Sequence, residues 1–381
     1  MKANRLNNVK EYYFSKKLRE VASLIKDGRP IINLGIGNPD LSPPPSVIES
    51  LKECFTNVKH SQYQSYQGIP ELREAMAKFY QDHYAVNLDY NNEILPLMGS
   101  KEGIFHISMA FLNPGDKVLI PNPGYPTYKS VSDLVGAETV LYNLKQENNW
   151  QPDINDLENT DLEGVKLMWI NYPNMPTGAD AQEEIYKELI EWGKKKKIMI
   201  INDNPYSFIL TSRPKSILSI QGSKDVCMEL NSLSKCFNMA GWRVGMLIGS
   251  SEKIKSVVNV KTNVDSGMFY GIQKAAISAL EMSKSWFDEL NHEYNLRRKL
   301  IFKLAKKMNT DFDTKTSGLF VWAKLKDFSI NSEQFVDKML YDKNLFFAPG
   351  NIFGSQGEGY VRISLCVNQD DIKTAIKRLE K

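Results

Sequence analysis

Five apolar runs recur through the middle of the chain, at residues 117–120, 165–170, 198–201, 226–230 and 244–248, with longer helically patterned segments between them. That alternation predicts an α/β fold: a mostly parallel sheet covered by helices. Each run is followed by Pro, Gly, Asn, Asp or Ser. Ligands of open α/β sheets collect outside the carboxyl ends of the strands, so functional side chains are expected there.

Beyond about Ser283 the pattern changes to a long charged amphipathic segment, 286–307, followed by strand-like pieces at 319–323 and 360–365. This predicts a second, smaller α+β domain. The segment up to Pro45, with Ile31, Ile32 and Leu34 ahead of a Ser-Pro-Pro-Pro break, cannot bury itself alone and is expected to pack against that domain. The expected division is a large domain at 46–284 and a small one formed by 1–45 and 285–381.

Net charge is only +3, from 48 basic and 45 acidic residues, without a block of like charge. No nucleic-acid or membrane footprint is therefore expected, and the partner is read as a small molecule. No apolar run approaches spanning length and the start is polar, which points to a cytoplasmic protein. Cys54, Cys227, Cys236 and Cys366 are scattered, as are the four histidines. Neither a disulfide framework nor a metal site is indicated.

Chemistry concentrates around Lys235, where two hydroxyls (Ser232, Ser234), an amine and the guanidinium of Arg243 fall in one short segment. An amine that is desolvated, or beside a second cation, loses its proton more easily and can form a Schiff base with a carbonyl. The neighbouring hydroxyls and Arg243 would suit a phosphate. That grouping fits covalent capture of a phosphorylated aldehyde.

This segment, together with Asn171-Tyr172-Pro173-Asn174-Met175-Pro176-Thr177-Gly178, Asp203-Asn204-Pro205-Tyr206 and Val361-Arg362-Ile363-Ser364, resembles the class I and II pyridoxal phosphate aminotransferases of fold type I. The resemblance runs over about 31–378. It implies a large domain with a mostly parallel seven-stranded sheet, a smaller α+β domain, pyridoxal 5'-phosphate as cofactor, and a homodimer with active sites at its interface. It also implies ping-pong transfer of an amino group between an L-amino acid and a 2-oxo acid, with 2-oxoglutarate and glutamate as one pair.

The same resemblance assigns roles. Lys235 is the anchor and general acid/base, Asp203 the partner of the cofactor's ring nitrogen, and Tyr206 a donor to its phenolic oxygen. Ser100 and Lys101, at a helix start, join Ser232, Ser234 and Arg243 at the phosphate. Tyr125 stacks on the ring, Asn174 lies beside it, and Tyr63 reaches the phosphate of the neighbouring subunit. Arg362 grips the substrate α-carboxylate with its planar fork, and Gly37 approaches the same group. Met175 departs from the pattern: an Asn usually precedes Pro-Thr-Gly, and a thioether cannot donate a hydrogen bond. Tyr206 would then hold the phenolic oxygen alone, or with Asn171 or Asn174 rearranged.

The run Lys261-Thr262-Asn263-Val264-Asp265-Ser266-Gly267 and Tyr12-Tyr13-Phe14 resemble the branch of LL-diaminopimelate, alanine and aspartate aminotransferases. Lys261, Asn263, Tyr12 and Tyr13 are candidates for side-chain selection. A lyase performing C–S elimination, or a decarboxylase, could use the same scaffold. A ligand-sensing regulator would need a DNA-binding segment that the thirty or so residues before Ile31 do not supply.

Overall fold

The computed structural model describes residues 2–7, 9, 11, 13–327 and 329–380. The apolar runs become strands. In chain order these are β1 (Ile32–Asn33), β2 (Ile94–Leu97), β3 (Lys117–Asn122), β4 (Glu138–Asn143), β5 (Val165–Asn171), β6 (Met199–Asp203), β7 (Cys227–Ser232) and β8 (Gly245–Ile248). They continue with β9 (Thr310–Phe312), β10 (Phe320–Leu325), β11 (Leu345–Phe346), β12 (Ala348–Pro349) and β13 (Tyr360–Ser364).

A seven-stranded sheet takes the order β2-β8-β7-β6-β5-β3-β4. Strands β3 to β7 are parallel, and β8 is antiparallel to both β7 and β2. The reversal has a local cause: the β7–β8 connection carries the short helix Leu233–Cys236 and a single turn at Ala240–Trp242 rather than a crossover helix, so the chain returns alongside itself. Central strands such as β5 and β7 are buried on both faces, as parallel strands covered by helices must be.

A smaller antiparallel sheet, β12-β13-β10-β9, packs with the 24-residue helix Lys284–Lys307. The N-terminal segment joins this part of the molecule: β1 pairs in parallel with β11, and Ser364 N–H donates to the Leu34 carbonyl at 2.7 Å. Among the described residues no helix is long and apolar enough to cross a membrane.

Candidate functional site

Strands β5, β6 and β7 end side by side, and their carboxyl ends open into a cavity of about 670 Å³. Eleven of the residues singled out from the sequence line it: Gly37, Ser100, Lys101, Tyr125, Asp203, Tyr206, Ser232, Ser234, Lys235, Arg243 and Arg362. Asn174 and Tyr63 do not.

Lys235 sits on the helix Leu233–Cys236, whose first turn is capped by Ser232 accepting from Ser234 N–H at 3.1 Å. Its ammonium donates to the Gly37 carbonyl at 2.6 Å. Burial lowers its pKa, and Arg362 and Arg243 push the same way against an opposing effect of Cys366. An amine so placed deprotonates more readily than one in water.

A cationic corner lies nearby. Arg243 follows that helix in the left-handed region, at φ 57°, and its guanidinium lies against Gly99, where an added Cβ would fall 2.1 Å from Nη2. Gly99 is itself at φ 84° and caps the helix Ser100–Phe111, so both space and backbone require glycine. The first N–H groups of that helix, with Lys101, Arg243, Ser232 and Ser234, form a cradle suited to an anion. Burial, with Arg243 second, lowers the Lys101 pKa.

Asp203, at the end of β6, is 4% exposed. Its Oδ2 accepts from the Tyr128 hydroxyl at 2.9 Å, while its Oδ1 is buried without a partner among the described residues. An unpaired buried carboxylate oxygen is costly, and a protonated ring nitrogen is the kind of group that would satisfy it. Tyr128 stacks on Trp169 at 5.0 Å, which fixes the hydroxyl's aim. Sequence reasoning missed this tyrosine, although it follows Tyr125 at helical spacing.

Burial pushes the Asp203 carboxyl up to about 7, with Tyr128 lowering it and Glu229 raising it. The folded apoprotein therefore holds a proton that the unfolded chain gives up above the ordinary value of 3.8. Stability falls as pH rises between those two values and levels off above the higher one. In apoprotein Asp203→Asn this slope is expected to vanish, a difference of up to ~4 kcal/mol between pH 4 and 7.5. Denaturant unfolding of both proteins measures it, and identical slopes would contradict the account.

Arg362 projects from β13, which pairs with β10 and β12. Nη2 donates to the Gly35 carbonyl at 2.8 Å, and Nη1 lies 3.1 Å from Met175 Sδ. The guanidinium sits over the rings of Phe320, Phe353 and Phe14 at 3.9, 4.7 and 5.4 Å. Phe14 belongs to a motif noted in the sequence, without a role assigned to it; Phe320 and Phe353 belong to none. Gly37 is needed here too, because a Cβ would fall 2.2 Å from Phe320 Cζ.

The amides around Met175 are occupied. Asn171 donates to the Asp203 carbonyl at 2.6 Å and accepts from Met175 N–H at 2.8 Å. Asn174 accepts from Thr177 and donates to the Asn171 carbonyl, holding the turn. Asn171 lines the cavity with both ends of its amide engaged within the protein, Asn174 does not line it, and Met175 itself forms part of the wall. Lys261 is 1% exposed and locked between Asp265 at 2.5 Å and Glu102 at 3.4 Å, so packing accounts for it. Asn263 bonds the Asn259 carbonyl, Tyr13 opens the N-terminal helix, and Tyr12 lies outside the described residues.

The chain is similar to known proteins along nearly its whole length. Residues 29–379 match the family described as aminotransferase class I and II. The LL-diaminopimelate aminotransferase of Aquifex aeolicus is 38% identical over 99% of this chain and 98% of its own. That of Halothermothrix orenii is 39% identical over 99% and 97%. The solved structure of apo-BacF from Bacillus subtilis superposes with a TM-score of 0.96 at 35% identity, covering 100% of this chain and 98% of the other.

Proposed function

The chain belongs to the class I and II aminotransferases, and from that premise we propose that the cavity at the ends of β5, β6 and β7 is its active site. It is a pyridoxal phosphate-dependent enzyme that transfers an amino group between an amino acid and a 2-oxo acid. The observation that carries the site assignment is the convergence of the Lys235 amine, the Arg362 fork and the unpartnered Asp203 oxygen on one cavity.

When bound, pyridoxal 5'-phosphate supplies a carbonyl for the substrate amine and a ring that accepts electrons from the α-carbon. In our reading its phosphate is held by Ser232, Ser234, Lys101, Arg243 and the amide groups at Ser100. Asp203 Oδ1 keeps a proton at the ring nitrogen, Tyr125 covers the ring face, and Tyr206 donates to the phenolic oxygen. Arg362 would bind the α-carboxylate, a far stronger acceptor than the Met175 Sδ that its Nη1 meets here. Lys235 Nζ would then take the α-proton and return it at the cofactor's carbonyl carbon, on the far side of the substrate nitrogen. Asn174 acts indirectly, through the turn that places Met175. Residues 46–284 would form the large domain, with 1–45 and 285–381 the small one, in a cytoplasmic enzyme.

The acceptor we propose is 2-oxoglutarate. Incubating holoenzyme with an amino acid and 2-oxoglutarate should yield glutamate. Pyruvate and ammonia without glutamate would overturn this choice.

We further propose a homodimer. Tyr63 is 90% exposed, and Phe55, Val58, Tyr66, Val264 and Phe269 are exposed in the same region. Phe55 and Phe269 lie 6.3 Å apart, and Gly267 abuts the carbonyls of Gln64 and Ser65. Apolar exposure of this kind marks an interface. Tyr63 would donate to the neighbouring copy's phosphate, so Tyr63→Phe should weaken cofactor binding about 10-fold or more, the loss of one hydrogen bond to a charged group. Cofactor titration of apoprotein reads this, while sedimentation shows whether the wild type is dimeric; a monomer would refute the arrangement.

A further inference from the structure

The cavity has a wall that cofactor and carboxylate binding do not use. Phe14 and Leu18, one helical turn apart on the N-terminal helix Tyr13–Lys26, face it together with Ile36 and Phe320. Phe14 and Phe320 also stand against the Arg362 guanidinium. A donor held by its carboxylate at Arg362 and by its amine near Lys235 must direct its side chain along these surfaces.

The cations that this chain itself brings to the cavity, among the described residues, are Lys101, Lys235, Arg243 and Arg362. Each already has a role in the active-site reading, two at the phosphate, one at the amine and one at the α-carboxylate. A side chain ending in a charge would thus be desolvated against phenyl and aliphatic groups, which is unfavourable without a partner. An apolar side chain gains from the same contact.

We propose that the distinguishing amino donor carries an uncharged aliphatic or aromatic side chain, selected by Phe14, Leu18, Ile36 and Phe320. This rests on the placement of the donor between Lys235 and Arg362. It differs from the donor named in the curated relatives, which ends in a second amine and carboxylate.

The test is the donor half-reaction of wild-type holoenzyme, followed by the cofactor's absorbance. Leucine, methionine and phenylalanine are compared with aspartate, lysine and LL-diaminopimelate. At least one apolar donor should exceed every charged donor by ~10-fold in kcat/KM, the scale on which an apolar pocket discriminates. A charged donor reacting equally or faster overturns the inference while leaving the active-site assignment intact. Reaction with none of the six, in enzyme that retains its cofactor, overturns that assignment and the inference with it. Leu18→Arg supplies a second readout: the aspartate-to-leucine ratio should rise ~10-fold, whereas a parallel fall for both donors would mean that Leu18 does not touch the side chain.

Discussion

Lys235→Ala is expected to lower kcat by about 10⁴-fold, because the amine that sits at the Gly37 carbonyl, in one cavity with Asp203 and Arg362, would be gone. Burial lowers its pKa, so the amine gives up its proton more readily than a lysine in water. Replacement by arginine should not restore activity, since a guanidinium does not deprotonate in this range. Borohydride reduction followed by mass spectrometry provides a readout apart from turnover. Wild type should retain the cofactor's mass covalently and the alanine variant should not; retention in the variant would place the anchor elsewhere.

Arg362→Ala should reduce kcat/KM for every amino donor by ~10²-fold or more, since two hydrogen bonds to a carboxylate contribute roughly 1.5–3 kcal/mol each. Arg362→Lys is expected to recover little. A point charge cannot reproduce a planar fork, and the surrounding phenyl rings favour a flat, weakly hydrated cation. Amines lacking a carboxylate give the control: their slow reaction should be unchanged in the variant. An equal loss for those amines would indicate a collapsed wall rather than a lost carboxylate contact.

Much of the molecule was legible because strand-ending motifs obey a rule of position. Asp203, Ser232 and Lys235 follow apolar runs, and the sheet brings those ends together. Two strands of the seven-stranded sheet escaped notice. β2 contains Pro96, and β4 lies at a sheet edge where half-exposed positions blur the apolar signal. The reversed direction of β8 was also hidden, since hydrophobicity carries no strand polarity.

Within the site, residues that sit in recognisable motifs were found wherever they lie in the chain, and aromatics that sit in none, such as Phe320 and Phe353, were not. Phe14, Phe320 and Phe353 meet at Arg362 from distant parts of the chain; Phe14 was noted only as part of a branch motif, and nothing local distinguishes the other two from core aromatics. Lys261 looked available for a substrate, but two carboxylates claim it. A charge in a sequence does not reveal its partner.

The Gly35 carbonyl holds Arg362, and the Gly37 carbonyl, two residues on, holds Lys235. Two residues of backbone span at most about 7 Å, so the N-terminal segment acts as a ruler between a cation on the small sheet and one at the end of the large sheet. Inserting a single residue after Ile36 would lengthen that ruler by up to ~3.5 Å without altering either cation. The pocket could then keep all its groups and still lose register between the carboxylate grip and the base.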